Sequence, residues 1–194
     1  MAGGQRYTTP TANYLCAQLA AERFQVIHDH APVKGQGQRI YIWFGTVFAE
    51  RKNPQILARL DIAVLDRATG QALALFEIED SSSHPKILLS DVLATLLGSG
   101  VAITGEANVG IDAWTHFVVF VKATSNKYQT GYQERIAFLN EQVQSIQAAL
   151  STPNAVMKAK LDSFTDENEL RAKVVAYVQQ AVDAFALSRG SSYG

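Results

Sequence analysis

The sequence predicts an α/β domain with a mixed central sheet flanked by helices and with extra helices at its C-terminal end. Three observations predict it. Segments rich in β-branched and aromatic residues predict strands. Segments with apolar residues three and four positions apart predict amphipathic helices. A turn that ends in glycine, Arg67-Ala68-Thr69-Gly70, joins two strands as a hairpin. The predicted order is helix, three strands, helix, strand, helix, helix.

Breaks in these patterns give the element boundaries. Residues 1–10 are polar and are predicted to fray, and the first helix is predicted from Thr11 to Val26. Pro85 suits the first turn of the helix after the third strand, and Gly98 ends that helix. Strands are predicted at residues 39–48, 59–66, 71–80 and 115–121, and C-terminal helices at residues 132–150 and 167–187.

Length and composition indicate one folded domain. The chain has 194 residues, of which 47% are hydrophobic, so it can bury a sizeable core. We predict a flexible N-terminus (1–10), an α/β core (11–150) and a helical extension of the same domain (151–194). The formal net charge of −1 provides no overall attraction for nucleic acid, so such a partner would need a local basic strip.

Missing features exclude several classes of protein. Cys16 is the only cysteine, which excludes an internal disulfide and a multi-cysteine zinc site and suits a reducing compartment. The N-terminal residues show no cationic region followed by a long apolar region, so no secretory leader is expected, and no apolar run reaches the roughly 18 residues of a transmembrane helix. It has no glycine-rich phosphate loop, nucleophile elbow or His/Cys metal spacing. We therefore expect a cytoplasmic domain with no membrane segment.

The hairpin predicts that two acidic side chains face each other. If residues 68–70 form a three-residue loop, Arg67 pairs with Gln71, and Asp61 then lies opposite Glu77. Opposed side chains share a face with Cβ atoms about 5 Å apart. Two carboxylates at that distance repel each other unless a cation lies between them. Asp61 and Glu77, with the backbone carbonyl of Ile78, therefore form a candidate site for Mg²⁺ or Mn²⁺, which prefer oxygen ligands.

Two more charged residues interrupt apolar stripes. Glu22 shares the stripe of Leu15 and Val26 in the first predicted helix, and Lys86 shares the inward stripe of the next helix. A buried charge is costly unless it is paired or binds an ion, so both are candidates for the same site. The alternatives are a solvated strand end for Glu77 and Glu79, a surface position for Glu22, and a lysine that reaches water for Lys86.

The element order and the acids together resemble the PD-(D/E)XK nuclease superfamily. An aspartate on the second strand, Asp61, is followed 16 residues later by a glutamate on the third strand, Glu77. The resemblance covers residues 11–122 and implies a restriction endonuclease-like αβββαβ core. No proline precedes Asp61, and Glu79 occupies the usual lysine position. Some members carry glutamate there, and others have moved the lysine to the following helix, where Lys86 lies.

The resemblance implies a role for each of these residues. Asp61 and Glu77 would bind the metal, Glu79 would hold a water or a second metal, and Lys86 would stabilise the phosphate. Glu22 would anchor the outer hydration shell. Candidate nucleic-acid contacts lie in two polar connections, for which a solvated loop is the alternative; they are Arg51, Lys52, Lys122, Lys127 and Tyr128.

These features predict a metal-dependent endonuclease that hydrolyses phosphodiester bonds, with DNA as the expected substrate. The alternative is a binding or scaffold module that keeps a nuclease-like fold without catalysis. Members of the superfamily are commonly dimers, so a homodimer is also expected. The C-terminal helices either pack on the sheet or form a self-association surface through two apolar stripes: Ile136, Leu139, Val143, Ile146 and Leu150, and Val174, Val175, Val178, Val182 and Phe185.

Overall fold

The computed structural model describes residues 5–29, 38–46, 55–79, 85–104, 108–123 and 129–190. Within these ranges the chain forms four α-helices and nine strands. The helices are α1 (Gln5–Gln18), α2 (Pro85–Leu96), α3 (Gln129–Ala149) and α4 (Glu167–Gly190). The strands are β1 (Phe24–His28), β2 (Ile40–Trp43), β3 (Ile56–Leu60), β4 (Ile62–Asp66), β5 (Gln71–Glu79), β6 (Gly100–Ile103), β7 (Asn108–Val109), β8 (His116–Lys122) and β9 (Lys158–Phe164).

Five strands form a mixed central sheet in the order β1-β4-β5-β8-β9. β1, β4 and β5 pair antiparallel, whereas β5, β8 and β9 pair parallel. Helix α2 lies in the connection from β5 to β8, and α3 lies in the connection from β8 to β9. The predicted α/β class with a mixed sheet and flanking helices is confirmed at this level.

A second sheet, not predicted from the sequence, has the order β3-β2-β6-β7 and is antiparallel throughout. Its strand β2 lies in the segment predicted as the first strand of the core, and its strand β3 ends with the first two residues, Arg59 and Leu60, of the segment predicted as the second. The predicted strand at residues 59–66 is in fact two strands. Leu60 pairs with Ile40 in the second sheet, whereas Ile62 pairs with Phe76 in the central sheet. The chain passes between the sheets at Asp61.

The first helix is shifted from its predicted position. It begins at Gln5, continues through Pro10 and ends at Gln18, and the next regular element is β1. The predicted boundaries of 11 and 26 were therefore wrong at both ends. Residues 24–28 show no strict alternation of polar and apolar side chains, and antiparallel pairing with β4 stabilises them as a strand. Tertiary pairing overrides the helical spacing of Leu15, Leu19 and Val26.

The hairpin between β4 and β5 is present, with a register that differs from the prediction at the turn. Asp66, not Arg67, pairs with Gln71, and Gly70 has a positive φ of 67°. A bulge then places Leu73 in β5 as an extra residue without a partner in β4. Because of this one-residue shift, the pairing beyond the bulge agrees with the predicted register, with Ile62 opposite Phe76. Leu73 consequently packs against Phe24 and Phe185, although alternation without a bulge would place it on the same face as Glu77.

The two faces of the central sheet pack against different partners. One face contacts α2, α3 and the second sheet, through a cluster that includes Ala63, Leu75 and Val119. The other face contacts α1 and α4, through a cluster that includes Phe76 and Phe120. Packing of the C-terminal helices on the sheet is thus confirmed. Six stripe residues are among the buried core residues: Ile136, Leu139, Val143, Val174, Val178 and Phe185.

The segment after residue 150 was predicted to be entirely helical, but it also contains a strand. It contains β9, the outermost strand of the central sheet beside β8. Its residues alternate from Lys158 to Leu161, but the exposed Lys158 and Lys160 leave no apolar run like that of a buried strand. Ala159 and Leu161 pack on the face of the sheet that contacts α2 and α3, whereas Phe164 packs on the opposite face.

Asn140 of α3 is expected to stabilise the fold by closing this sheet edge. Its side chain donates to the Leu161 carbonyl (2.9 Å) and accepts from the Leu161 N–H (2.8 Å), as a neighbouring strand would. Asn140→Ala leaves both backbone groups without these partners and should lower the free energy of unfolding by about 1–3 kcal/mol. Urea denaturation measures it. Gln144→Ala, at an exposed position one turn later, is the control, and an equal loss in both variants would contradict this role.

Candidate functional site

An acidic site forms where the chain leaves the second sheet and enters the central one. Asp61 immediately precedes β4, and Glu77 and Glu79 lie in the last part of β5. Because Ile62 pairs with Phe76, the antiparallel register places Asp61 opposite Glu77. Alternation along the strands directs Glu77 to the face that packs against α2. The predicted opposition of the two acids is therefore found, although the turn that sets it has a different register.

The Asp61 carboxylate is held in a fixed position. It is 6% exposed, and its Oδ2 accepts a hydrogen bond from the Ile78 N–H at 2.9 Å. The backbone around it is also bonded, since its N–H donates to the Phe76 carbonyl and its carbonyl accepts from the Asp29 N–H, both at 3.1 Å. A charged group that is buried in this way is pre-oriented, which suits an ion ligand. The same bonds also stabilise the chain at its passage between the two sheets.

Glu77 has a buried carboxylate oxygen, Oε2, that lacks a hydrogen-bond donor among the described residues. Burial raises the pKa of Glu77 well above its usual value, and the negative charges of Asp61, Asp91 and Glu79 raise it further. A hydrogen bond from the Asp61 backbone partly offsets these effects on the pKa, but the unpartnered Oε2 atom remains costly in the interior. A cation beside Asp61 and Glu77 would remove that cost.

Asp91 of α2 belongs to the same acidic group and was not singled out in the sequence. Its Oδ2 is buried and likewise lacks a partner in the part of the chain that the structure describes. Burial raises the pKa of Asp91 to about 6. The spacing could have revealed it, because Asp91 lies three residues after Leu88 and one before Val92, both buried. The argument that identified Lys86 as a charge on an inward stripe applies equally to Asp91.

The other residues predicted for the acidic cluster are only partly described. Glu79 is half-buried at the end of β5, and its charge acts on Glu77. Lys86 lies in the first turn of α2, as predicted, but the described part of its structure is the backbone alone. Ile78 donates its N–H to Asp61, and its side chain is buried on the opposite face of the sheet. His84, another possible phosphate contact, lies outside the described residues.

The prediction that Glu22 lies on a buried helical stripe near these acids is wrong. Helix α1 ends at Gln18, and Glu22 is exposed in the turn before β1. That turn adjoins the other end of the hairpin, since Arg67 donates to the Ala21 carbonyl. The length of β4 separates it from Asp61 by roughly 15 Å. Glu22 therefore cannot contribute to the acidic site.

Lys122 is also placed away from the acids. Its Nζ donates to the Tyr7 hydroxyl at 2.5 Å and lies 5.0 Å from the centroid of the Tyr7 ring. Tyr7 belongs to the cluster on the α1 and α4 face, whereas Glu77 faces α2. Lys122 thus packs against α1 on the opposite side of the sheet. The other candidates for nucleic-acid contact lie outside the described residues; they are Arg51, Lys52, Lys127 and Tyr128.

The donor set limits the kind of cation that could bind. No group of three or more His, Cys, Asp and Glu side chains in the described ranges is arranged to hold a metal ion. Asp61 and Glu77 are two adjacent carboxylates, and one oxygen of Glu77 is without a partner among described residues. These residues fit a hydrated Mg²⁺ or Mn²⁺, which commonly keeps several waters and binds through one or two carboxylates. They do not fit an ion enclosed by protein ligands.

Comparisons of the chain with protein-family models, curated proteins and solved structures found no match. Across the described residues, none of the helices combines the length and the hydropathy that a bilayer crossing requires. The function of the chain is therefore inferred from its own residues and their geometry.

Proposed function

We propose that the protein is a metal-dependent endonuclease that hydrolyses phosphodiester bonds, with DNA as its substrate class. The observation that carries the proposal is the buried Glu77 Oε2 atom, which lacks a partner among described residues and lies opposite the fixed carboxylate of Asp61. A protein that buries two repelling carboxylates side by side must compensate for them. A bound divalent cation is the simplest compensation that these oxygen ligands allow.

The topology supports the same proposal. The elements α1, β1, β4, β5, α2 and β8 follow the order helix, three strands, helix, strand that the resemblance to PD-(D/E)XK nucleases implies. Their four strands are also neighbours in one sheet, in the order β1-β4-β5-β8. The first strand of this set is β1, whereas the sequence had suggested the segment that contains β2. In this assignment the second sheet is an insertion into the core. Its strands β2 and β3 precede Asp61, and its strands β6 and β7 follow α2.

The residues have separable tasks in this proposal. Asp61 and Glu77 hold the cation, and the Ile78 carbonyl is an additional oxygen beside them. When bound, the cation lowers the pKa of a coordinated water and neutralises charge on the scissile phosphate. Glu79, half-buried at the strand end, accepts a hydrogen bond from the attacking water. Lys86, in the first turn of α2, stabilises the negative charge of the phosphate.

A scaffold or binding module with the same fold and no catalysis is the second candidate. Two observations favour it. The Ile78 N–H already occupies one oxygen of Asp61. In addition, the described residues include no metal-binding group of three or more side chains. In this case the buried acids would be maintained by protonation of Glu77, whose pKa is raised by burial.

Loss of Mn²⁺ binding and of plasmid nicking in Asp61→Asn is the test of the proposed function. The wild-type protein is expected to bind Mn²⁺ in calorimetry and to nick supercoiled plasmid in a Mn²⁺-dependent reaction. Asp61→Asn keeps the side-chain shape but removes the charge, so nicking should fall by about 100-fold or more. Asp183→Asn, an exposed carboxylate on α4, is the matched control and should leave both measurements unchanged.

Two outcomes would count against nuclease activity. Mn²⁺ binding without nicking by the wild-type protein would favour the scaffold candidate. Equal nicking by the wild-type protein and Asp61→Asn would assign the activity to a contaminant or to another site.

A further inference from the structure

We infer that Asp91 is a positioning residue whose Oδ2 accepts a hydrogen bond from a water in the hydration shell of the cation held by Asp61 and Glu77. This inference rests on the proposed function and extends its site to helix α2. Asp91 would thereby fix the orientation of that water without itself binding the ion or the substrate. It is distinct from Lys86, which lies in the first turn of the same helix.

The surroundings of Asp91 point towards the acidic site. It lies on α2 between Leu88 and Val92, each 1% exposed, on the side that packs against the central sheet. Glu77 projects from that same face of the sheet. The negative charge of Asp91 acts on Glu77 with an effect second only to that of Asp61 among the neighbouring charges. Asp91 and Glu77 thus lie on facing surfaces of α2 and the central sheet, each with a buried oxygen that has no partner among the described residues.

A purely structural role does not account for this carboxylate. Asp91 is the seventh residue of α2, beyond the first turn, so it neither caps the helix nor benefits from its N-terminal dipole. Aspartate is also a poor helix former in the interior of a helix. Its Oδ2 is buried without a hydrogen bond to any described residue. Each of these properties destabilises the metal-free protein, whereas a bound, hydrated cation would supply the missing donor.

The geometry favours an outer position for Asp91 over direct coordination. Asp61, Glu77 and Asp91 do not form a three-ligand group in the described structure. An acceptor that bonds to a coordinated water lies about 5 Å from the ion, because the ion–water distance and the hydrogen bond add. An outer position would leave one oxygen of Glu77 and one oxygen of Asp91 without a protein partner, as both are in the described structure.

Asp91→Asn is expected to stabilise the metal-free protein and to weaken its binding of Mn²⁺. Removal of the charge from this half-buried carboxylate, whose Oδ2 has no partner among the described residues, should raise the melting temperature in the presence of a chelator at pH 7. Loss of the charged acceptor should weaken Mn²⁺ binding by about tenfold, the usual effect of removing an outer-shell partner, so the Mn²⁺-induced rise in melting temperature should shrink. Asp91→Glu keeps the charge and should retain more Mn²⁺ affinity than Asp91→Asn. Asp183→Asn is the control.

The outcomes separate this inference from the proposed function. Unchanged Mn²⁺ binding in Asp61→Asn overturns the proposed function and the inference together. Loss of binding in Asp61→Asn, with wild-type binding in Asp91→Asn, overturns the role of Asp91 alone. A lower melting temperature in both conditions for Asp91→Asn would show that Asp91 is structural. Equal loss of affinity in Asp91→Glu and Asp91→Asn would show that its charge is not used.

Discussion

Glu77→Gln is expected to stabilise the metal-free protein at pH 7 by about 1–3 kcal/mol, the gain typical of replacing a costly buried charge with a neutral group. The change preserves the shape of the side chain and removes its repulsion from Asp61, Asp91 and Glu79, which all raise the pKa of Glu77. The glutamine amide can also donate a hydrogen bond, which a carboxylate cannot. Urea denaturation in the presence of a chelator measures the gain.

The effect of Glu77→Gln should depend on pH in a defined direction. The folded protein holds the Glu77 proton more tightly than the unfolded chain, because the pKa of Glu77 is raised in the folded state. The stability from this proton is fully present below the ordinary pKa of 4.5 and is lost as pH rises through the folded pKa. The advantage of the glutamine variant should therefore be small at pH 4.5 and grow towards pH 7.

The control for this measurement is Glu134→Gln, an exposed carboxylate on α3. It should change stability by less than about 0.5 kcal/mol at either pH. A destabilised Glu77→Gln variant at pH 7 would mean that the Glu77 carboxylate has a favourable partner in the metal-free protein. The premise of an uncompensated charge would then be lost.

Phe120→Ala should cause the largest loss of stability, about 3–5 kcal/mol, by removing a large side chain from the centre of the core. Phe120 is completely buried in β8, between β5 and β9. Its ring lies 5.7 Å from that of Phe76 and 5.9 Å from that of Tyr177 of α4, between ring centroids. The cavity cannot collapse easily, because strand neighbours and helix α4 fix its walls. The free energy of unfolding in urea is the measurement.

Phe44→Ala is the matched control, because Phe44 is 59% exposed beside β2 and its loss should cost little. Phe120→Leu, which leaves a smaller cavity, should fall between the two and keeps the comparison measurable if the alanine variant does not fold. Equal stabilities of Phe120→Leu, Phe44→Ala and the wild-type protein would contradict the packing of α4 on this face of the sheet.

Local sequence patterns were sufficient to predict several elements. α2 begins at Pro85 as predicted, because a proline in the first turn and the repeat of apolar residues after it agree. The hairpin between β4 and β5 is local as well, and Gly70 adopts the positive φ that the turn requires. The opposition of Asp61 and Glu77 was predicted from a pairing of Arg67 with Gln71, and it holds because the bulge at Leu73 offsets the one-residue difference at the turn. No distant contact was needed for these predictions.

Elements that depend on distant partners were missed or misplaced. β1 was assigned to a helix because its pairing with β4 is not visible in five residues. β9 was not predicted, because the exposed Lys158 and Lys160 leave no continuous apolar run and because its pairing with β8 joins segments that are distant in the chain. Glu22 was included among the acids on the strength of a helix that ends before it. Asp91 was omitted, although the spacing on α2 was sufficient to identify it.

By itself the sequence determined the α/β class and the hairpin, because periodicity and turn chemistry act over a few residues. Only the tertiary structure decided which strand begins the central sheet, that the chain changes sheets at Asp61, that a bulge at Leu73 restores the opposition of Asp61 and Glu77, and that Glu22 and Lys122 lie away from the acids. The physical reason is that strand pairing and burial are set by partners far away in the chain, which no local pattern records.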